Sequence, residues 1–233
     1  MELCETREFA SEVKFVVTPD QGAGIERWAS RWLSADPHGA QYSVTSLYFD
    51  TPDFRVFRRQ GSFGRAKYRI RRYGDSEQVF LERTLRTNQV VVKRRSIVDV
   101  EDIALLETPQ GDRDWHNGYW FQQRLQARSL QPAWQISYLR SARELITNVG
   151  PIRLTLDRNL AAVPIQLIAF RDAIPTPLFN NGEMILELKF RRAMPELFCD
   201  LLKDFSLKPQ SVSKFRLAAA ALRITPAEEA IHA

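Results

Sequence analysis

The stretch KYRIRRYG, Lys67 to Gly74, constrains the fold of this chain more than any other. Its Tyr and Ile and its period-two alternation predict a β-strand. On that reading Lys67, Arg69 and Arg71 share one face, about 7 Å apart by the rise of a strand. Tyr68 and Ile70 share the other face, with Arg72 joining them at the end. Like charges at that spacing repel, so the cationic face requires water or an anion.

The same division recurs along the chain. In SEVKFVV, Glu12 and Lys14 oppose Val13, Phe15 and Val17. In VFLERTL, Glu82 and Thr84 share a face with Phe80. In IRLTLDR, Arg153, Thr155 and Asp157 oppose Ile152, Leu154 and Leu156. In MILELKF, Glu187 and Lys189 share a face with Ile185, against Leu186, Leu188 and Phe190. One solvated sheet face explains any one such strand. Repetition across strands predicts instead that the charged faces converge. Unpaired buried cations are costly, and a water-filled channel with a polyanion as guest removes that cost. The expectation is an α+β fold: an antiparallel β-barrel closed around a polar tunnel, with peripheral helices and a C-terminal helix. A chain of inorganic phosphates suits such a tunnel, being narrow, flexible and densely charged. The carboxylates among the cations suit a divalent ion that also takes phosphate oxygens.

The remaining segments fit this plan. AGIERWASRWL places Ile25, Trp28, Ala29, Trp32 and Leu33 at helical spacing, and its Trp stripe is read as core. YSVTSLYFDT reads as a strand ending at a Thr-Pro-Asp turn. QVFLERTLR, VVVKRRSIV, AWQISYLRSARELI, IRLTLDRNL and EMILELKFRR read as further strands, with turns at Gly74-Asp75 and Thr87-Asn88. GYWFQQRLQARSL, MPELFCDLLKDF and SVSKFRLAAAALRI read as helices, the last opened by serines suited to capping. Regular strand–helix alternation is missing, which argues against a doubly wound sheet. The 233 residues allow one large domain or two small ones. With no repeat or linker in view, the reading is one domain over 1–225 and a frayed tail over 226–233.

A net charge of +5 favours anionic partners. No nucleic-acid-binding motif accompanies it, and the aromatic residues, Trp115, Trp120 and Phe121 among them, read as packing. Cys4 and Cys199 have no metal-ligand spacing and fit a reducing compartment. His38, His116 and His232 form no zinc pattern. No apolar run is long enough to span a bilayer, and the N-terminus lacks a signal pattern. The expected location is the cytoplasm. Asp50 and Asp53, flanking Pro52, read as turn residues, and Arg58 to Gly61 as a solvated turn.

Taken in order, SLYFDT, KYRIRRYG, VFLER, SYLRSA, IRLTLD, ILELKF and SVSKF resemble the VTC domain. That domain is the catalytic module of the vacuolar transporter chaperone polyphosphate polymerase and its bacterial relatives. It belongs with the triphosphate tunnel metalloenzymes, which include CYTH-type phosphatases and adenylate cyclases. The likeness runs from about Glu5 to Leu217. It implies a triphosphate tunnel and transfer of the ATP γ-phosphate to polyphosphate, dependent on Mn2+ or Mg2+. It implies phosphate contacts for Lys14, Arg69, Arg71, Arg153 and Lys214, with Ser213 beside them. Lys67, Lys93 and Lys189 add charge for the phosphate chain. It makes Glu187 the metal ligand, assisted by Glu12 or Glu82. Fungal relatives work beside membrane segments, which implies that this chain keeps its product in the cytosol or hands it to a membrane-protein partner. An inorganic triphosphatase and a non-catalytic polyphosphate binder stay open as alternatives, and oligomeric state is not legible. Two positions depart from the pattern: Ala10 stands where the wider superfamily has a glutamate, and Thr84 where a lysine is expected, with Lys93 as its substitute.

Overall fold

The computed structural model describes residues 4–8, 10–63, 66–86, 91–108, 116–173 and 175–224. The expected Thr87-Asn88 turn, Trp115 and the tail over 226–233 lie outside them. Strands β1 (Cys4–Glu8), β2 (Ala10–Val17), β3 (Ser34–Ala35), β4 (Gln41–Asp50), β5 (Ala66–Tyr73) and β6 (Gln78–Arg86) are followed by β7 (Val91–Asp99), β8 (Gln131–Thr147), β9 (Gly150–Pro164), β10 (Thr176–Pro177) and β11 (Met184–Arg191). Helices are α1 (Pro19–Trp32), α2 (His116–Ala127), α3 (Glu196–Asp204) and α4 (Lys214–Ala221). All strand pairings are antiparallel, in the order β1-β7-β6-β5-β4-β8-β9-β11-β2, with β10 on β9 and β3 on β8.

The closed β-barrel and its triphosphate tunnel, expected from the sequence, do not form. The strand ladder is an open path from β1 to β2, and among the described residues no hydrogen-bonded pair joins those two ends. The chain order supplies the reason. β1 and β2 each have one partner among the described strands, β7 and β11, and successive strands this close in the chain have no loop between them with which to form a hairpin. A barrel closes only when its first and last strands lie side by side. The charged residues therefore occupy one face of an open sheet.

The opposite face carries α1, α2 and α3, because it carries the apolar half of each strand. Phe15, Leu154, Leu156, Leu186 and Leu188 pack with Ile25 and Ala29 of α1 and Phe198 and Leu201 of α3. Tyr68, Ile70, Val79 and Leu81 pack with Phe121 and Leu125 of α2 and with the 3-10 turn Val100–Leu106. α1 starts where a capping box forms: Thr18 accepts from the Gln21 backbone, and the Gln21 side chain accepts from the Thr18 backbone. Gly22 lets α1 approach β11, since a Cβ there would sit 2.6 Å from the Met184 sulfur.

The expected Trp stripe divides. Trp28 packs against the core, but Trp32 is 57% exposed, because α1 ends there and the chain turns onto β8 through β3. Trp120 is core, with its indole N–H donating to Ser96 at 2.9 Å. Asp50 is a turn brace, as read: its carboxylate accepts from the backbones of Thr51, Val56 and Phe57.

Candidate polyanion-binding site

Strand register gathers the charges. On β5, Lys67, Arg69 and Arg71 lie opposite Thr84, Glu82 and Phe80 of β6, which lie opposite Lys93, Arg95 and Ile97 of β7. Thr84 is thus on the charged face, between Lys67 and Lys93. Glu82 is buried and clamped: Arg69 donates to it at 2.5 Å, and Arg95 at 2.5 and 2.8 Å. Burial pushes its carboxyl up, but Arg69, Arg71 and Arg95 hold it well below the usual range. Arg69 also donates to the Tyr48 hydroxyl at 3.3 Å. Arg71 is 6% exposed, donates to Ser46 at 3.2 Å, and has no ion pair among the described residues. The neighbouring hydroxyls carry the mark of these arginines. Burial raises the Tyr73 phenol, while Arg71 and Arg95 bring it down to about 8 against the opposing charge of Glu82.

A second group forms across β2, β11, β9 and β8. Lys14 pairs in register with Glu187, and Glu187 with Thr155. Glu12 pairs with Lys189, and Lys189 with Arg153. Arg140 of β8 makes a forked pair with Asp157 at 2.7 and 2.8 Å and lies 3.9 Å from Glu187. Lys14 is 2.9 Å from Glu12 and 3.5 Å from Glu187, and Lys189 is 3.7 Å from Glu12. Burial and Glu187 push the Glu12 carboxyl up, yet Lys14 and Lys189 bring it down to about 2. Burial opposes charge on Lys189, and Lys93 of β7 repels it as well.

Helix α4 joins the two groups. Lys214, at its first position, reaches Asp157 at 2.6 Å and Glu187 at 2.7 Å. Phe215 packs on Tyr48 and Trp134. Ser213 occupies the N-cap position but makes no capping hydrogen bond. Its hydroxyl instead accepts from the Lys67 ammonium at 3.0 Å. The expected cap is thus given up to hold a cation from β5. Lys67 makes no ion pair among the described residues. Burial, Lys14, Arg69 and Lys214 all disfavour its charge, only partly offset by Glu12, and bring it down to about 7.

Every residue singled out in the sequence lies on this face or at the start of α4, but not all in the expected grouping. Glu82 does not join Glu12 and Glu187; it is held by Arg69 and Arg95. Among the described residues there is no group of three or more His, Cys, Asp or Glu side chains placed to hold a metal. Glu12 and Glu187, which share Lys14, fit a divalent ion that draws its other ligands from phosphate; Glu82 does not. Arg153 is tied down, 2.5 Å from Asp36 and 3.0 Å from the Tyr42 hydroxyl. Sequence reading missed Arg140, Arg95 and the tyrosines. Arg140 lies within SYLRSA, and the unpaired charge of Asp157 was the signal that a buried cation had to face it. Among the described residues, Tyr138 Oη, Thr155 Oγ1 and Trp134 Nε1 are buried on this side without a protein hydrogen-bond partner.

Fold and site together define a phosphate-handling domain with a cation-rich sheet face. The VTC domain family matches residues 9–223, and the chain belongs to that family. No curated protein matches the sequence. Among solved structures it is similar to a Bacillus halodurans protein named as an adenylate cyclase candidate: 16% identity and TM-score 0.52 over 89% of this chain and 95% of that one. It is also similar to HpAC1 from Hippeastrum, named as an adenylyl cyclase candidate and described as having a dominant triphosphatase activity, with 14% identity and TM-score 0.52 over 98% and 100% of the two chains. The PH1012 protein of Pyrococcus horikoshii shares 13% identity and TM-score 0.51 over 89% and 98%. At these identities the likeness establishes the fold. Among the described residues no helix is long and apolar enough to cross a membrane.

Proposed function

We propose that this domain binds linked phosphates along its cationic face and transfers the γ-phosphoryl group of ATP to a growing polyphosphate chain. The observation that carries the reading is the pair Lys67 and Arg71: two buried or half-buried cations on one face of one strand, both without an ion pair among the described residues. Cations of that kind are expensive unless an anion completes them. The surplus of cations over carboxylates across β2, β5, β7, β8 and β11 extends the same argument along the face.

Phosphoryl transfer asks the protein mainly for alignment and for neutralisation of crowded oxygens. A terminal oxygen of the chain forms the new bond to the γ-phosphorus, the β–γ anhydride bond breaks, and ADP leaves. The attacking oxygen is already anionic, so no general base is required. Arg69 and Arg71 present forked donors to phosphate. Lys14, Lys67 and Lys214 supply compact charges, and Lys93 stands in for the lysine missing at Thr84. Arg140 and Asp157 act behind these groups by positioning Lys214. Glu187 and Glu12 are the residues that would hold Mn2+ or Mg2+, and a bound ion would supply charge neutralisation at phosphate oxygens.

The test is incubation of the pure protein with ATP and Mn2+, followed by sizing of the phosphate products. Long chains with stoichiometric ADP support the proposal. Release of free phosphate alone replaces it with triphosphate hydrolysis, and tight binding without turnover replaces it with a polyphosphate-binding role.

A further inference from the structure

At one end of the charged face three aromatic rings meet. His38 stacks on Tyr73, with ring centroids 5.1 Å apart and planes 13° from parallel. Tyr42 meets both rings edge-on at 5.8 Å. His38 is exposed, so its ring is accessible to solvent although Tyr73 stacks on one side of it. The loop that presents it is braced. Asp36 is 3% exposed, and its Oδ1 accepts the His38 backbone N–H at 2.9 Å. Its main-chain carbonyl accepts from Gly39 at 2.8 Å, where Gly39 takes a left-handed φ of 102° that favours glycine. The other Asp36 oxygen holds Arg153.

The same stack borders the phosphate-binding cations. The Arg71 guanidinium carbon lies 5.9 Å from the Tyr73 centroid, and Arg153 donates to the Tyr42 hydroxyl. A fixed, open aromatic surface beside a row of phosphate-binding cations matches a molecule with a flat ring at one end and several phosphates at the other. We infer that His38, backed by Tyr73 and Tyr42, is the platform on which the nucleobase of a bound nucleoside triphosphate stacks. This rests on the proposed phosphate-binding role of the face and deepens it, because it explains how a site built for phosphates prefers a nucleotide as donor. Stacking uses the π-face that every base possesses, so the platform favours nucleotides over inorganic triphosphate and discriminates little among bases.

The test is calorimetric titration of the full chain with ATP, GTP and tripolyphosphate at fixed Mn2+. In the unaltered protein ATP and GTP bind more tightly than tripolyphosphate. His38→Ala lowers the ratio of ATP to tripolyphosphate affinity by roughly tenfold, the order expected for loss of one stacking partner. His38→Phe, which keeps a flat ring, retains the ratio. Equal ratios in the unaltered protein and His38→Ala, with tripolyphosphate still bound, overturn the platform and leave the phosphate site standing. Failure of the unaltered protein to bind any of the three overturns both.

Discussion

Raising the pH from 6 to 9 is expected to weaken the binding of tripolyphosphate, with Lys67 as the main origin. In the free protein burial, Lys14 and Arg69 bring the Lys67 ammonium down to about 7, helped by Lys214 and opposed by Glu12. A bound polyanion supplies the missing negative charge and returns the group toward the ordinary lysine value of 10.5. Between those limits binding takes up a proton. Affinity then falls by up to about tenfold per pH unit above 7, since one unit corresponds to about 1.4 kcal/mol. Below 7 Lys67 is already charged, and its share of the slope vanishes. The stability of the free protein moves the other way. Its unfolded chain holds a proton that the folded chain lacks between pH 7 and 10.5, so stability rises across that window and the gain is lost as pH falls through 7. The comparator is Lys67→Arg, which stays charged throughout and reports the titration of the ligand itself. Calorimetric titrations at each pH, with both proteins, isolate the lysine. Equal slopes for the two would refute the reasoning.

Arg71→Ala removes a buried forked donor and leaves Glu82 still clamped by Arg69 and Arg95; tripolyphosphate affinity should fall roughly ten- to a hundredfold, the worth of a charge-assisted hydrogen bond, with the circular dichroism spectrum unchanged. Asp157→Asn leaves Arg140 and Lys214 with Glu187 alone as shared counter-charge in a buried position; the expected loss is about 3–5 kcal/mol of stability, read as a lower midpoint in urea. Thr84→Lys places a third cation between Lys67 and Lys93; it should tighten tripolyphosphate binding and lower thermal stability of the free protein, and no change in either would mean the position does not meet ligand. Acid should destabilise the fold, because Glu12, Glu82, Asp157 and Glu187 are all held below their ordinary values. Their contribution is complete above about pH 4.5 and is lost as pH falls toward 2, a loss that fluorescence-monitored acid titration would follow.

Much of the strand content was legible because a strand's side-chain period is local. The assignment of Lys67, Arg69 and Arg71 to one face and of Tyr68 and Ile70 to the other needed only the alternation of eight residues, and the same held for β2, β9 and β11. Helices α1 to α4 were legible from apolar spacing. β1, β3 and β10 were not, since such short strands carry too little pattern. Ser213 misled for a related reason. A serine before a helix is a good cap by local rules, but Lys67, far away in sequence, competes for its hydroxyl.

The sequence by itself determined which residues belong to the charged side of each strand and which to the apolar side, because alternation follows from backbone geometry alone. Only the tertiary structure decided how the strands end and who meets whom. It left the sheet open, with β1 and β2 as the two unjoined ends of the ladder. It separated Glu82 from Glu12 and Glu187, tied Arg153 to Asp36, paired Arg140 with Asp157, and stacked His38 on Tyr73. Those outcomes depend on register and on contacts between distant segments, which cost loop entropy to bring together and leave no local trace in the chain.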